Sequence, residues 1–223
     1  MQETTVKSRA EEAWRMLREA IFAGRFPPGS PLRFQELQAL CGMSVSPVRE
    51  ALTRLVGEGL VEGAHHRGYR VATLSRAELD DLVRTRIQIE GLALERAIAC
   101  GEEHWEARIM SSLHVLGRLP RRRANEPKLM DDEWERRHAD FHAALLSACD
   151  SPILLQICRS LYDRADHYRR LSLAVETGPR DLHAEHEAIA RAALARDAAE
   201  ARRCLALHYE STASFLRQQF GEH

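Results

Sequence analysis

With 223 residues, 44% apolar side chains and a formal net charge of −1, the chain is globular and long enough for two modest domains. Its charge is too balanced for a protein that only coats nucleic acid. No apolar run approaches the roughly 18 residues of a spanning helix, and Met1-Gln2-Glu3-Thr4-Thr5 lacks a signal-peptide core, so a cytoplasmic protein with no membrane partner is expected. The five cysteines, Cys41, Cys100, Cys149, Cys158 and Cys204, never fall in C-x-x-C spacing, which predicts reduced, mostly buried thiols and neither disulfides nor a thiolate zinc site.

Residues 8 to 24 have the spacing of an amphipathic helix with Ala13, Leu17, Ala20 and Ile21 inward, stopped by Gly24 and Pro27-Pro28. Gln35 to Cys41 is a short helical stretch, and Gly42 supplies the left-handed residue of a tight turn. Ser44 then caps a further helix with Val48, Leu52, Leu55 and Val56 on its apolar face and Arg49, Thr53 and Arg54 off it. Helix, glycine turn, capped helix reads as helix-turn-helix. Gly59-Leu60-Val61 and Tyr69-Arg70-Val71-Ala72 are β-prone runs around a turn with His65, His66, Arg67 and Gly68, which adds a wing.

From Pro28-Gly29 to Val71 the chain resembles the winged helix-turn-helix of the GntR family of bacterial transcription regulators. The motifs that carry the resemblance are P-G-x-x-L, S-x-S-P-V-R-E-A-L, L-x-x-E-G-L-V and R-G-Y-R-V. It implies double-stranded operator DNA as partner. Ser44, Val45, Ser46 and Arg49 fall at the first turn of the recognition helix, facing the major groove or its phosphates, with Arg33 as a further contact. His65, His66, Arg67 and Gly68 of the wing reach the minor groove or backbone. Much of the family has an arginine where this chain has Val45, and a valine exchanges a guanine contact for a thymine methyl.

Ala72 to Ser75 is the hinge, Ser75 and Glu78 forming a capping box, which sets domains at 1–74 and 75–223. Ten Lys/Arg against eight Asp/Glu precede residue 76, and twenty-two against twenty-five follow it, which suits a DNA-binding head on an acidic body. Beyond the hinge only helical periods occur, at about 76–99, 102–117, 131–148, 152–175, 181–195 and 197–219. The fold class is mainly α, a winged helix-turn-helix followed by an all-α bundle. Arg121-Arg122-Arg123 reads as a solvated loop.

Eleven histidines are many for this length. His138 and His142, four apart, share a helix face, and His186 and His208 lie on two later helices. Antiparallel neighbours can bring four such imidazoles to one point, where they suit zinc first, with nickel or manganese as alternatives. His183 is a competing ligand or a partner for a carboxylate. Asp163 to Leu171 mixes Arg164, Tyr168 and Arg169, which serve either as ligand contacts or as a salt-bridged solvated face.

Phe141-His142, Glu185-His186-x-x-Ile189 and His208 resemble the metal-binding FCD effector domain of the fatty-acid-regulator branch of the same family. That domain usually has an aspartate where this chain has His138, so the resemblance implies a set of four histidines, with Asp140 off the face. Arg86 and Glu90 match its R-x-x-x-E element, and the guanidinium fork suits the carboxylate of a small organic acid. Trp105-Glu106-Ala107, Leu145 to Pro152 and Leu161-Tyr162-Asp163 resemble a glutarate-responsive subgroup, which implies a dicarboxylate such as glutarate.

The expected protein is a homodimeric, ligand-responsive repressor and not an enzyme. The alternatives are a regulator that responds to metal itself and a metalloenzyme using the histidines to activate water, against which stands the absence of a nucleophile or H-E-x-x-H base.

Overall fold

The computed structural model describes residues 8–64, 68–73, 75–127, 129–176 and 180–218. Contacts divide the chain into two compact units that meet between residues 74 and 75. None of the described helices is long and apolar enough to cross a membrane.

The first unit runs α1 (Arg9–Phe22), β1 (Pro31–Leu32), α2 (Phe34–Cys41), α3 (Val45–Gly57), β2 (Val61–Ala64) and β3 (Gly68–Val71). Ser8 caps α1 by accepting from the Glu11 amide at 3.1 Å. The helix buries Ala13, Leu17, Ala20 and Ile21, the face expected from their spacing. Gly42 closes α2 with φ 65°, a conformation open to glycine at no steric cost, and so turns the chain into α3. Two details of α3 differ from expectation. Ser44 sits at the N-cap position, but its side chain makes no capping hydrogen bond. Val56 is 39% exposed, and Ala51 takes its place in the core with Val48, Leu52 and Leu55. The wing is a three-stranded antiparallel sheet in the order β1-β3-β2, with Leu32 opposite Tyr69 and Gly63 opposite Tyr69 on the other side.

The second unit is helical: α4 (Arg76–Cys100), α5 (Glu103–Gly117), α6 (Asp132–Leu146), α7 (Pro152–Val175), α8 (Leu182–Leu194) and α9 (Ala198–Arg217). Side-chain caps start five of these helices. Ser75, Asp131, Ser151, Asp181 and Asp197 each accept from an amide of the first turn, a bond that contributes about 1 kcal/mol apiece. The Glu78 carboxylate takes Arg164 of α7 at 3.3 Å, giving the capping box a tertiary partner. Helix α4 packs on α7 and α9, α8 on α9, and α5 on α6 and α8, with Leu94, Trp105, Ile109, Phe141, Leu145, Ile189 and Leu205 in the core.

Cys41, Cys149 and Cys158 are buried, as expected of core thiols, whereas Cys100 is exposed at the end of α4 and Cys204 is half-buried. The arginine run is not a solvated loop. Arg121 pairs with Glu176 at 2.7 Å, Arg122 donates to Pro127 O and Leu173 O, and Arg123 pairs with Asp132 at 2.7 Å, so the segment is tied to the end of α7 and the start of α6.

Candidate metal centre and nucleic-acid interface

Helix α3 presents its N-terminal turn outward. Ser44, Val45, Ser46 and Arg49 are exposed, Val45 at 40%. Arg49 lies 5.3 Å over the Phe34 ring, which fixes the stem of a guanidinium whose charge still faces water. Arg33 is exposed at the start of α2, and Gly68 is exposed at the start of β3 with φ 84°. His65, His66 and Arg67 lie outside the described residues.

In the helical unit four imidazoles meet. The i, i+4 spacing puts His138 and His142 on the inner face of α6, while α8 supplies His186 and α9 supplies His208. All four are buried, and one nitrogen of each lies within 4.8 Å of those of the others. Phe141 packs beside His186 at 5.1 Å, and Trp134 stacks on His138 at 4.7 Å with 17° between the planes. Asp140 is exposed and paired with Arg137 at 3.4 Å, off the face as expected, so His138 alone holds that place in the cluster.

The surroundings decide which nitrogen each ring turns inward. Tyr162 donates its single proton to Glu135 at 3.0 Å, so its oxygen accepts from His138 Nδ1 at 2.7 Å, and His138 Nε2 keeps a lone pair. His208 Nδ1 donates to Glu185 Oε2 at 2.8 Å, again freeing Nε2. Burial would raise the Glu185 carboxyl, but the hydrogen bonds from Arg180 and His208 overcome it and hold it down at about 2. His186 Nε2 is buried with no hydrogen-bond partner. His142 Nε2 lies 3.1 Å from His138 Nε2, a distance at which two lone pairs repel unless a proton or a cation lies between them.

Burial pushes all four imidazoles below their ordinary value; neighbouring imidazoles and arginines add to the shift at His138, His142 and His186, whereas at His208 Glu185 opposes it and Arg180 and Arg86 add to it. Four neutral imidazoles with two outer nitrogens fixed by a tyrosine and a carboxylate form a donor set that fits a divalent first-row metal. His183, the competing candidate, is half-exposed and pairs with Glu187 at 3.3 Å; it stands apart from the cluster.

Beside the cluster is a small cavity, about 30 Å³, whose lining includes Leu82, Arg86, His138, Tyr168, Arg169, His208 and Tyr209. Arg86 donates to Glu90 at 2.5 and 3.3 Å and lies 3.9 Å over the Tyr209 ring, while Tyr209 donates to Glu90 at 2.5 Å. Arg169 donates to Glu135 at 2.6 Å and lies 3.9 Å over Tyr162. Of the sequence candidates, then, Arg86, Tyr168 and Arg169 are gathered at the histidines, with Glu90 behind Arg86. Arg164 is not among the lining residues: it faces outward and pairs with Glu78. Sequence reasoning missed Tyr162, Glu135, Tyr209 and Arg180. The signal for Glu135 and Tyr209 lay in their spacing, one turn before His138 and next to His208.

An exposed helix terminus on a winged head, followed by a helical domain, points to a class: a DNA-binding transcriptional regulator. The chain belongs to the gntR family of bacterial regulatory proteins, matched over residues 9–71, and carries an FCD domain, matched over residues 81–211.

It is 38% identical over 213 residues to the HTH-type transcriptional regulator BphR of Paraburkholderia xenovorans (strain LB400), spanning 96% of this chain and 87% of that one. It is 37% identical over 212 residues to the HTH-type transcriptional repressor GlaR of Escherichia coli (strain K12), spanning 93% and 95%. The solved structure of E. coli McbR/YncC is similar at a TM-score of 0.66 and 25% identity, covering 97% of this chain and 100% of that one. These relatives are regulators, so the metalloenzyme alternative is set aside.

Proposed function

We propose that the protein is a homodimeric repressor that holds a divalent metal, zinc first, on His138, His142, His186 and His208, and leaves its operator when a small organic acid enters the adjoining cavity. The observation that carries this reading is the convergence of four buried imidazoles, one nitrogen of each within 4.8 Å of the others, two of which, His138 and His208, line a cavity together with Arg86, Tyr168 and Arg169. A metal supplies a Lewis-acid position for one carboxylate oxygen, and the cations and hydroxyl orient the rest of the acid. The resemblance to the glutarate-responsive subgroup makes glutarate the first acid to try. In the head, Ser44, Val45, Ser46, Arg49, Arg33 and the wing residues His65 to Gly68 meet the duplex, with Val45 against a thymine methyl. The domain division used here is 1–74 for the head and 75–223 for the effector and dimerisation domain.

The test is operator binding by Arg86→Ala with and without glutarate. The variant is expected to bind operator and to lose the response. A normal release of DNA would show that Arg86 is not the anchor. Because Arg86→Ala strands the buried Glu90, the double variant with Glu90→Gln is measured beside it.

One observation favours a second reading, in which metal is the signal. Both cavity arginines are already held by carboxylates, Arg86 by Glu90 and Arg169 by Glu135, so an acid must compete for them. Operator binding that follows buffered metal and ignores organic acids would select that reading.

A further inference from the structure

A second cavity, of about 510 Å³, shares no lining residue with the first. Its wall includes Arg121, Arg122, Arg180, Trp134, His183 and His186. Arg180 is held by Glu185 at 2.8 and 2.6 Å. Arg121 and Arg122 share a single oxygen of Glu176, at 2.7 and 3.3 Å. One carboxylate does not neutralise two guanidinium groups, and Arg121 Nε is left buried with no hydrogen-bond partner. Burial lowers the Arg121 guanidinium below its ordinary value, Glu176 only partly offsets this, and Arg180 and Arg122 add to it. Arg121 is partly exposed, so two guanidinium groups that share one carboxylate oxygen, one of them with an unpartnered Nε, leave a place for a further anion that can enter from solvent.

Three residues of this wall also stand behind the histidine cluster. Trp134, with Arg121 5.7 Å over its ring, stacks on His138. Arg180 grips the carboxylate that orients His208 and donates to His208 O at 3.2 Å. His186 belongs to both.

We propose that this cavity is a second ligand site, which takes a small oxyanion, a phosphate or a carboxylate, at Arg121 and Arg122, and which adjusts the histidine cluster from behind through Trp134, Arg180 and His186. The proposal does not depend on what fills the first cavity. Occupancy would change how His138 and His208 are held, so the two sites would be linked, each altering the affinity of the other by the same factor.

The chain has three tryptophans, Trp14, Trp105 and Trp134, and only Trp134 lines this cavity, so its indole N–H is a local reporter. The experiment titrates the full chain, with its tryptophans 15N-labelled and assigned through Trp→Phe variants, with inorganic phosphate and separately with succinate. The expected result is a saturable shift of the Trp134 indole signal with at least one of the two, and at least tenfold weaker binding of that anion in Arg121→Gln. Which anion binds distinguishes phosphate from carboxylate as the natural class. Should Arg121→Gln not fold, Arg122→Gln, which removes a half-exposed guanidinium and leaves Glu176 paired with Arg121, is read in the same way. No saturable shift with either anion, or a shift of equal affinity in the variant, overturns the proposal.

Discussion

The Tyr162 hydroxyl bridges His138 and the Glu135–Arg169 pair by hydrogen bonds, whereas Glu135 itself comes no nearer to His138 Nδ1 than 3.9 Å, so removal of the hydroxyl should loosen one imidazole while the ring still fills its place in the core. Tyr162→Phe is expected to weaken zinc binding by about 10- to 100-fold, as loss of an outer-shell partner does at other metal sites. Competition with a chromophoric chelator measures it, and an unchanged affinity would remove His138 from the ligand set. Glu185→Gln should behave alike through His208. The histidines themselves were legible in the sequence because an i, i+4 pair shares a face whatever else the fold does, and the family pattern supplied the other two. Tyr162, Glu135 and Arg180 were not, since what makes each of them matter is a hydrogen bond across 24 to 28 residues of chain. Arg164 was misplaced for the converse reason: it shares a segment with Arg169, but the helix turns it outward.

At the scale of elements, α3 and its turn account for the head's shape, and the exposed Arg49 is the cation we propose it offers to a duplex. Arg49→Ala is expected to leave the fold intact, because Arg49 is exposed and gives up only a guanidinium contact over the Phe34 ring, and to weaken operator binding. If the contact is to a phosphate, the slope of log K against log salt should fall in magnitude by about 0.9. An operator affinity equal to wild type at every salt concentration would take Arg49 off the interface.

A second prediction belongs to α6. Asp131 accepts from the Glu133 and Trp134 amides at 2.9 and 3.0 Å, so Asp131→Ala should cost about 1 kcal/mol in a denaturant titration. Helix ends were readable to within a residue or two because serine and aspartate caps and the Gly-Pro loops mark them chemically. The strand β1 was not, because two residues carry no alternation. The Arg121 to Arg123 segment was misread as solvated, since composition alone cannot tell a free charge run from one whose carboxylates arrive from α6 and α7.

For the molecule as a whole, the cluster joins α6, α8 and α9, so a metal bound there would stabilise the helical unit by linkage, about 2.7 kcal/mol at a free concentration one hundred times Kd. Treatment with a strong chelator is therefore expected to lower Tm, and readdition of zinc to restore it. A Tm indifferent to both would leave the four imidazoles as a neutral, hydrogen-bonded core. The division into a winged head and a helical body was visible in the change from β-prone to purely helical periods near residue 75, and the similarity to the relatives named above extends over both parts of this chain.

The central claim is that metal, acid and operator are linked in one protein, and anisotropy of the labelled DNA beside the protein's own gene tests it most directly. Binding is measured at physiological salt with competitor DNA, in zinc-loaded and chelated protein, across a titration of glutarate. The account predicts tight binding by the zinc-loaded protein that weakens about 5- to 150-fold as the acid saturates, with no such weakening after chelation. Operator affinity that is the same with and without the acid, whatever the metal, would contradict it.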